Sequence, residues 1–97
     1  MHRNSKNDNN ELFDLLAEIN KSEEICDLMR EMLTKSELET LSKRWRILKM
    51  LSVGRTQRDI AKELKVSLCK VTRGAQILKD EKSIVVKCLK EIKNEYK

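Results

Sequence analysis

The sequence predicts an all-α fold of six helices. Proline is absent and only two glycines occur in 97 residues. Charged residues make up 38% of the chain, and Lys and Glu alternate with Leu throughout. Apolar residues recur three and four positions apart, and no β-branched run alternates with period two. Ninety-seven residues make one domain at most. A chain this short buries a modest core, so a partner subunit is a natural source of further burial.

Residues 1–10, MHRNSKNDNN, carry four Asn and no apolar pattern, and read as a disordered arm. The folded domain is then expected over 11–97. Leu12, Phe13, Leu15, Leu16 and Ile19 mark the apolar face of a first helix. NKSEE breaks it, and Ile25, Leu28, Met29, Met32 and Leu33 mark a second. Thr34 and Glu37 have the spacing of a capping box, in which each side chain satisfies a backbone N–H at the other position. They open a long third helix with Leu38, Leu41, Trp45, Leu48 and Leu51 on one seam. That alternation of three and four is found in helices that wrap around a partner, which predicts an intertwined homodimer. Gly54 stands where glycine terminates helices.

Residues 56–79 have the pattern of a helix-turn-helix. Thr56 and Asp59 form a weaker capping pair ahead of QRDIAKEL, KVS supplies a short turn, and Ser67 is a good N-cap for LCKVTRGAQILK. Two short helices crossing steeply need apolar residues on facing sides and a small residue at the crossing. Ile60 and Leu64 meet the first need, Ala61 the second, and Val66 plugs the turn. Leu68 and Val71 are expected to face inward. DEKS restarts a sixth helix with Ile84, Val85, Cys88, Leu89 and Ile92 inward.

Charge is divided unevenly. Residues 1–41 hold five Lys/Arg against ten Asp/Glu, and residues 42–97 hold sixteen against six. The outward residues of the helix-turn-helix, Arg58, Lys62, Lys65, Lys70, Thr72 and Arg73, are basic or hydroxylic and suit phosphates and base edges. A buried helical hairpin with a solvated basic face is the competing reading. No segment approaches the ~18 apolar residues of a membrane span, and the polar N-terminus is no signal peptide, so a cytoplasmic location is expected. Cys26, Cys69 and Cys88 have no metal-ligand spacing, and the single His lies at position 2. No catalytic constellation, metal site or enzyme cofactor is expected.

Gly74 departs from the pattern. A recognition helix would ordinarily bury an apolar side chain there, and glycine costs a helix about 0.5–1 kcal/mol relative to alanine. Close helix packing is one explanation, and space kept for a ligand is another. At this point the chain resembles the tryptophan repressor family, over about residues 12–92. The resemblance is carried by LFDLLAEINKSEEICDLMREMLTKSE, by LSKRWRILKMLSVG, and by the reading head TQRDIAKEL with VTRGAQILK. One residue fewer separates Gly54 from Gln57 than in the family.

The resemblance implies a homodimeric transcriptional repressor that binds a roughly palindromic operator in double-stranded DNA, with L-tryptophan as corepressor and tryptophan biosynthesis or uptake genes as targets. It implies an indole held between Arg44 and Arg73, with Gly74 leaving room for the ring, Thr34 at the carboxylate end and Ile47 as an apolar wall. Ile77 stands where many members have a serine that accepts from the ligand ammonium. For DNA it implies Gln57, Arg58, Leu68, Cys69, Lys70 and Thr72; Lys62 and Ser67 share their surface. A ligand-independent helix-turn-helix regulator, and a basic helical module that binds RNA or protein, are the alternatives.

Overall fold

A computed structural model describes residues 8–95, with side chains from 10 to 92. Among these residues there are six α-helices and no strands: α1 Asp8–Glu18, α2 Ser22–Met32, α3 Lys35–Ser52, α4 Gln57–Leu64, α5 Leu68–Lys79 and α6 Ile84–Glu95. The arm expected over 1–10 ends earlier than its composition suggests. Asp8 is already helical. Residues 1–7 lie outside the described residues.

Local chemistry sets most helix ends. Thr34 N–H donates to Glu37 Oε1 at 2.8 Å, and Glu37 N–H donates to Thr34 Oγ1 at 3.1 Å, a reciprocal box. Gly54, at φ +92°, ends α3. Its N–H donates to the Leu51 carbonyl and that of Arg55 to Met50, so two otherwise unsatisfied carbonyls are closed off at once. Thr56 Oγ1 accepts from Asp59 N–H, capping α4. Between Gly54 and Gln57 the shortened connection has two residues, Arg55 and Thr56, each held by the helix on one side of it. Ser67 Oγ accepts from Lys70 N–H at 3.3 Å, and Ser83 Oγ from Val85 N–H at 3.1 Å.

Lys65 ends α4 in the left-handed region, at φ 57°, ψ 49°. That conformation costs a non-glycine residue about 1–2 kcal/mol. Lys65→Gly removes the strain but adds freedom to the unfolded chain, worth about 0.4–1 kcal/mol in the opposite sense. A net gain of about 0.5 kcal/mol is expected, read as a higher urea midpoint at unchanged slope.

The chain divides into two compact units, one up to Leu38 and one from Glu39 onward. Among the described residues, every buried apolar one lies in the second unit: Ile47, Leu48, Ile60, Leu64, Val71 and Leu89. Ile47, Ile60, Leu64 and Val71 form one cluster, with Met50, Leu51, Ala61 and Val66 packed against it. Ala61 and Val66 thus stand at the crossing and in the turn as expected. In the first unit no described side chain is buried, and Phe13, Leu15 and Met32 are exposed.

Three inward expectations fail. Leu68 is 47% exposed and Ile84 68% exposed, and Cys88 is exposed as well. Leu68 and Ile84 are the first residues of α5 and α6, and the inward stripe of each helix starts later, at Val71 and at Val85. Cys88 lies one position before the buried Leu89, about 100° around the helix.

Candidate functional site

Two surfaces of the second unit meet on α5. The first is built on the α4–turn–α5 pair. Arg58 and Lys62 are exposed on α4; Lys65 is exposed in the turn. Ser67, Leu68, Cys69, Lys70, Thr72 and Arg73 are exposed along the start of α5. The buried Ile60, Leu64 and Val71 hold the two helices together beneath this surface. Thr72 Oγ1 donates to Gln57 Oε1 at 2.8 Å, tying the second turn of α5 to the first residue of α4. Arg55, just before α4, donates from Nη2 to Glu63 Oε1 on α4 at 2.6 Å, and the carboxylate raises the arginine pKa above its ordinary value.

The second surface is an open pocket of about 370 Å³ between α3 and α5, within the size range of small-molecule sites. Helix α3 contributes Arg44, Ile47 and Leu48, and α5 contributes Lys70, Arg73, Gly74 and Ile77. Both sets follow helical spacing, i, i+3, i+4 on α3 and i, i+3, i+4, i+7 on α5, so each is one face of its helix. The walls are aliphatic, and two arginines stand at them. Guanidinium planes stack on aromatic faces and bind carboxylates bidentately, so such a pocket suits a flat ring bearing an acid.

Gly74 is buried in the floor of this pocket. A Cβ there would lie 3.1 Å from Ile47 Cγ2, 3.3 Å from Leu51 Cδ1 and 3.5 Å from Leu48 Cδ2. The volume a side chain at 74 would need is therefore occupied by α3. Glycine is favoured first by the close approach of α3 to α5, and that same approach puts bare backbone at the pocket wall.

Comparison with known proteins supplies the deciding observation: the family described as Trp repressor protein matches residues 7–96. The chain belongs to the Trp repressor family. Its members are DNA-binding transcription regulators, not enzymes. Three relatives, each named Trp operon repressor homolog, come from Xylella fastidiosa strains M23, Temecula1 and 9a5c. Each is 36% identical over 70 residues, covering 71% of this chain and 76% of the relative. No solved structure matches the chain significantly.

The pocket brings together Arg44, Ile47, Arg73, Gly74 and Ile77, five of the six residues that the resemblance assigns to the ligand. Thr34 belongs to the first unit, where its side chain caps α3. Sequence reasoning assigns Lys70 to DNA alone and passes over Leu48, yet both line the pocket. The spacing of Lys70 with Arg73, Gly74 and Ile77 is the signal that points to it. On the exposed α4–α5 surface, Gln57 is only half-exposed, and the Thr72 hydroxyl donates to it. Ser67 accepts the Lys70 N–H as a cap.

Proposed function

We propose that this protein is a homodimeric, cytoplasmic repressor that binds a roughly palindromic operator, with an indole corepressor of the L-tryptophan class held in the α3–α5 pocket. The observation that carries this reading is the shared use of α5. Arg73 and Lys70 line the pocket, while Ser67, Leu68, Cys69 and Thr72, along the same stretch of chain, form the exposed reading surface. A ligand wedged between Arg44 and Arg73 restrains α5 relative to α3 and so sets the attitude of the recognition helix. Coupling of this kind is reciprocal: ligand tightens DNA binding, and DNA tightens ligand binding equally.

The first unit supports the dimer. A polypeptide segment of about 40 residues rarely sustains itself without disulfides, metals or a partner. This one buries none of its described side chains, and its cysteine, Cys26, is a free thiol. Phe13, Leu15 and Met32 need cover that a second copy supplies through a two-fold interface. Two recognition helices then present themselves about 34 Å apart, one turn of DNA. Control of tryptophan biosynthesis or uptake genes follows from the same reading.

A thermal melt tests the ligand. L-tryptophan or indole-3-propionate at ~100 times its dissociation constant should add about 2.7 kcal/mol per site. The shift should vanish in folded Arg44→Ala and Arg73→Ala. If neither compound moves the melt, the corepressor reading fails and a ligand-independent regulator remains.

DNA binding has its own test. Arg58→Ala and Lys62→Ala should each weaken binding about equally on specific and random duplex. Each should also lower the slope of log K against log salt by about 0.9 for every phosphate the variant no longer neutralises. An unchanged slope in both variants would take α4 out of the interface.

A further inference from the structure

Helix α4 carries two stripes of opposite charge. Arg58 and Lys62 stand one turn apart, and Asp59 and Glu63 stand one turn apart beside them, about 100° around the helix. All four are exposed. The basic stripe belongs to the surface offered to DNA. The acidic stripe repels phosphates, and it has a cation of its own. Arg55, just ahead of the helix, donates from Nη2 to Glu63 Oε1 at 2.6 Å, and Asp59 adds its negative charge to the field at the same guanidinium.

Arg55 is also tied to α3. Its backbone N–H donates at 3.1 Å to the carbonyl of Met50, in the last turn of that helix. One residue is therefore bonded to both helices across a connection of two residues, Arg55 and Thr56. A hydrophobic staple fixes the angle at which a chain enters a helix, by joining a residue before the helix to one inside it. Arg55 and Glu63 do the same with charges, through a short charge-assisted bond, the stronger kind. Helix α5 follows α4, because Ile60, Leu64 and Val71 pack the two together and Thr72 is bonded to Gln57.

Resting on the reading of the α4–α5 surface as the DNA interface, we propose that Arg55 is a positioning residue for operator recognition. Paired with Glu63, it acts from outside the interface by fixing the angle at which α4, and α5 with it, leaves α3. A head free to tilt presents α5 at attitudes that miss the major groove. The loss falls on sequence-specific binding and spares the phosphate attraction that any duplex supplies.

The experiment uses two duplexes, one of random sequence and one enriched from a random pool by the parent protein. Full-length variants are titrated on both without added ligand at ~150 mM salt, and the ratio of the two affinities is read. Arg55→Gln removes a positive charge and Glu63→Gln a negative one. An effect of net charge therefore has opposite signs in the two variants and acts on both duplexes alike. Loss of the staple has the same sign in both. Each should lower the ratio about three- to fivefold, the scale of one well-formed exposed ion pair. The double variant should lose no more than either single one. Exchanging the partners, Arg55→Glu with Glu63→Arg, should recover most of the ratio. Circular dichroism at the assay temperature reads whether each variant is folded.

Opposite shifts in the two single variants, or an unchanged ratio in folded ones, overturn the proposal. Tighter binding by Glu63→Gln, with a salt slope steeper by about 0.9, means that the released Arg55 reaches a phosphate, and overturns it as well. A swapped pair that stays as low as the single variants overturns the pairing. A parent protein that enriches no sequence removes sequence-specific repression itself, and this proposal with it.

Discussion

Replacing Ile60 with alanine is expected to cost about 2–5 kcal/mol, the range for removing a large aliphatic side chain from a packed core. Ile60 is fully buried. It belongs to a cluster of four buried residues, with Ile47 from α3, Leu64 from α4 and Val71 from α5. Only six apolar residues are buried among the described ones, so the core cannot spread the loss widely. Domains have about 5–15 kcal/mol in total, and Ile60→Ala removes a large part of it. Urea unfolding followed by circular dichroism reads the effect, at one protein concentration because a dimer's stability depends on it. Leu68→Ala is the matched control. That side chain is exposed at the start of α5, so its loss should stay within about 0.5 kcal/mol. Similar costs for the two would mean that α4 and α5 do not cross as described.

Valine at position 74 is the second large effect, at about 1–3 kcal/mol from overpacking. The Cβ alone comes to 3.1 Å from Ile47 Cγ2. That atom sits on a β-branched side chain which has one strongly preferred rotamer in a helix, so it yields little. The two γ-methyls of valine add to the crowding among Ile47, Leu48 and Leu51. Gly74→Ala is milder. Its helix propensity gain of about 0.5–1 kcal/mol offsets part of the contact, and Leu51 Cδ1, at 3.3 Å, is the far end of a flexible side chain. Both variants should be measured without ligand. Were glycine present only to make room for a ligand, valine would leave the ligand-free protein as stable as before. A loss in the absence of ligand shows that α3 itself needs the space.

The helix ends were legible because each depends on groups within a few residues of one another. Thr34 with Glu37, Thr56 with Asp59, and Ser67 with Lys70 all close over three positions. Gly54 meets a backbone demand, its positive φ, that glycine alone meets without strain. The turn was legible in its residues but not in its strain. Nothing in KVS announces that Lys65 adopts a left-handed conformation, because lysine has no preference for it.

Periodicity carried most of the inward faces but failed at the first residues of α5 and α6 and, inside α6, at Cys88. It named Ile60, Leu64, Val71 and Leu89, all of which are buried, and also Leu68 and Ile84, which are not. A repeat of three and four states which side of a helix is apolar. It does not state how many turns of that side a neighbour covers.

The site divides in the same way. Gly74 stood out by itself as a glycine inside a helix, whereas Arg44 and Arg73 were singled out as ligand residues only through the family resemblance that the TRG context carried. The sequence by itself therefore determined six helices, their caps, and a basic helix-turn-helix that belongs to the Trp repressor family. Only the tertiary structure decided that Lys70 lines the pocket as well as being exposed at the start of α5, that Thr72 is held by Gln57, and that α3 occupies the space above Gly74. Each of these depends on the angle and distance at which two helices cross. That geometry is set by the summed packing of many side chains distant in sequence, and no local pattern encodes it.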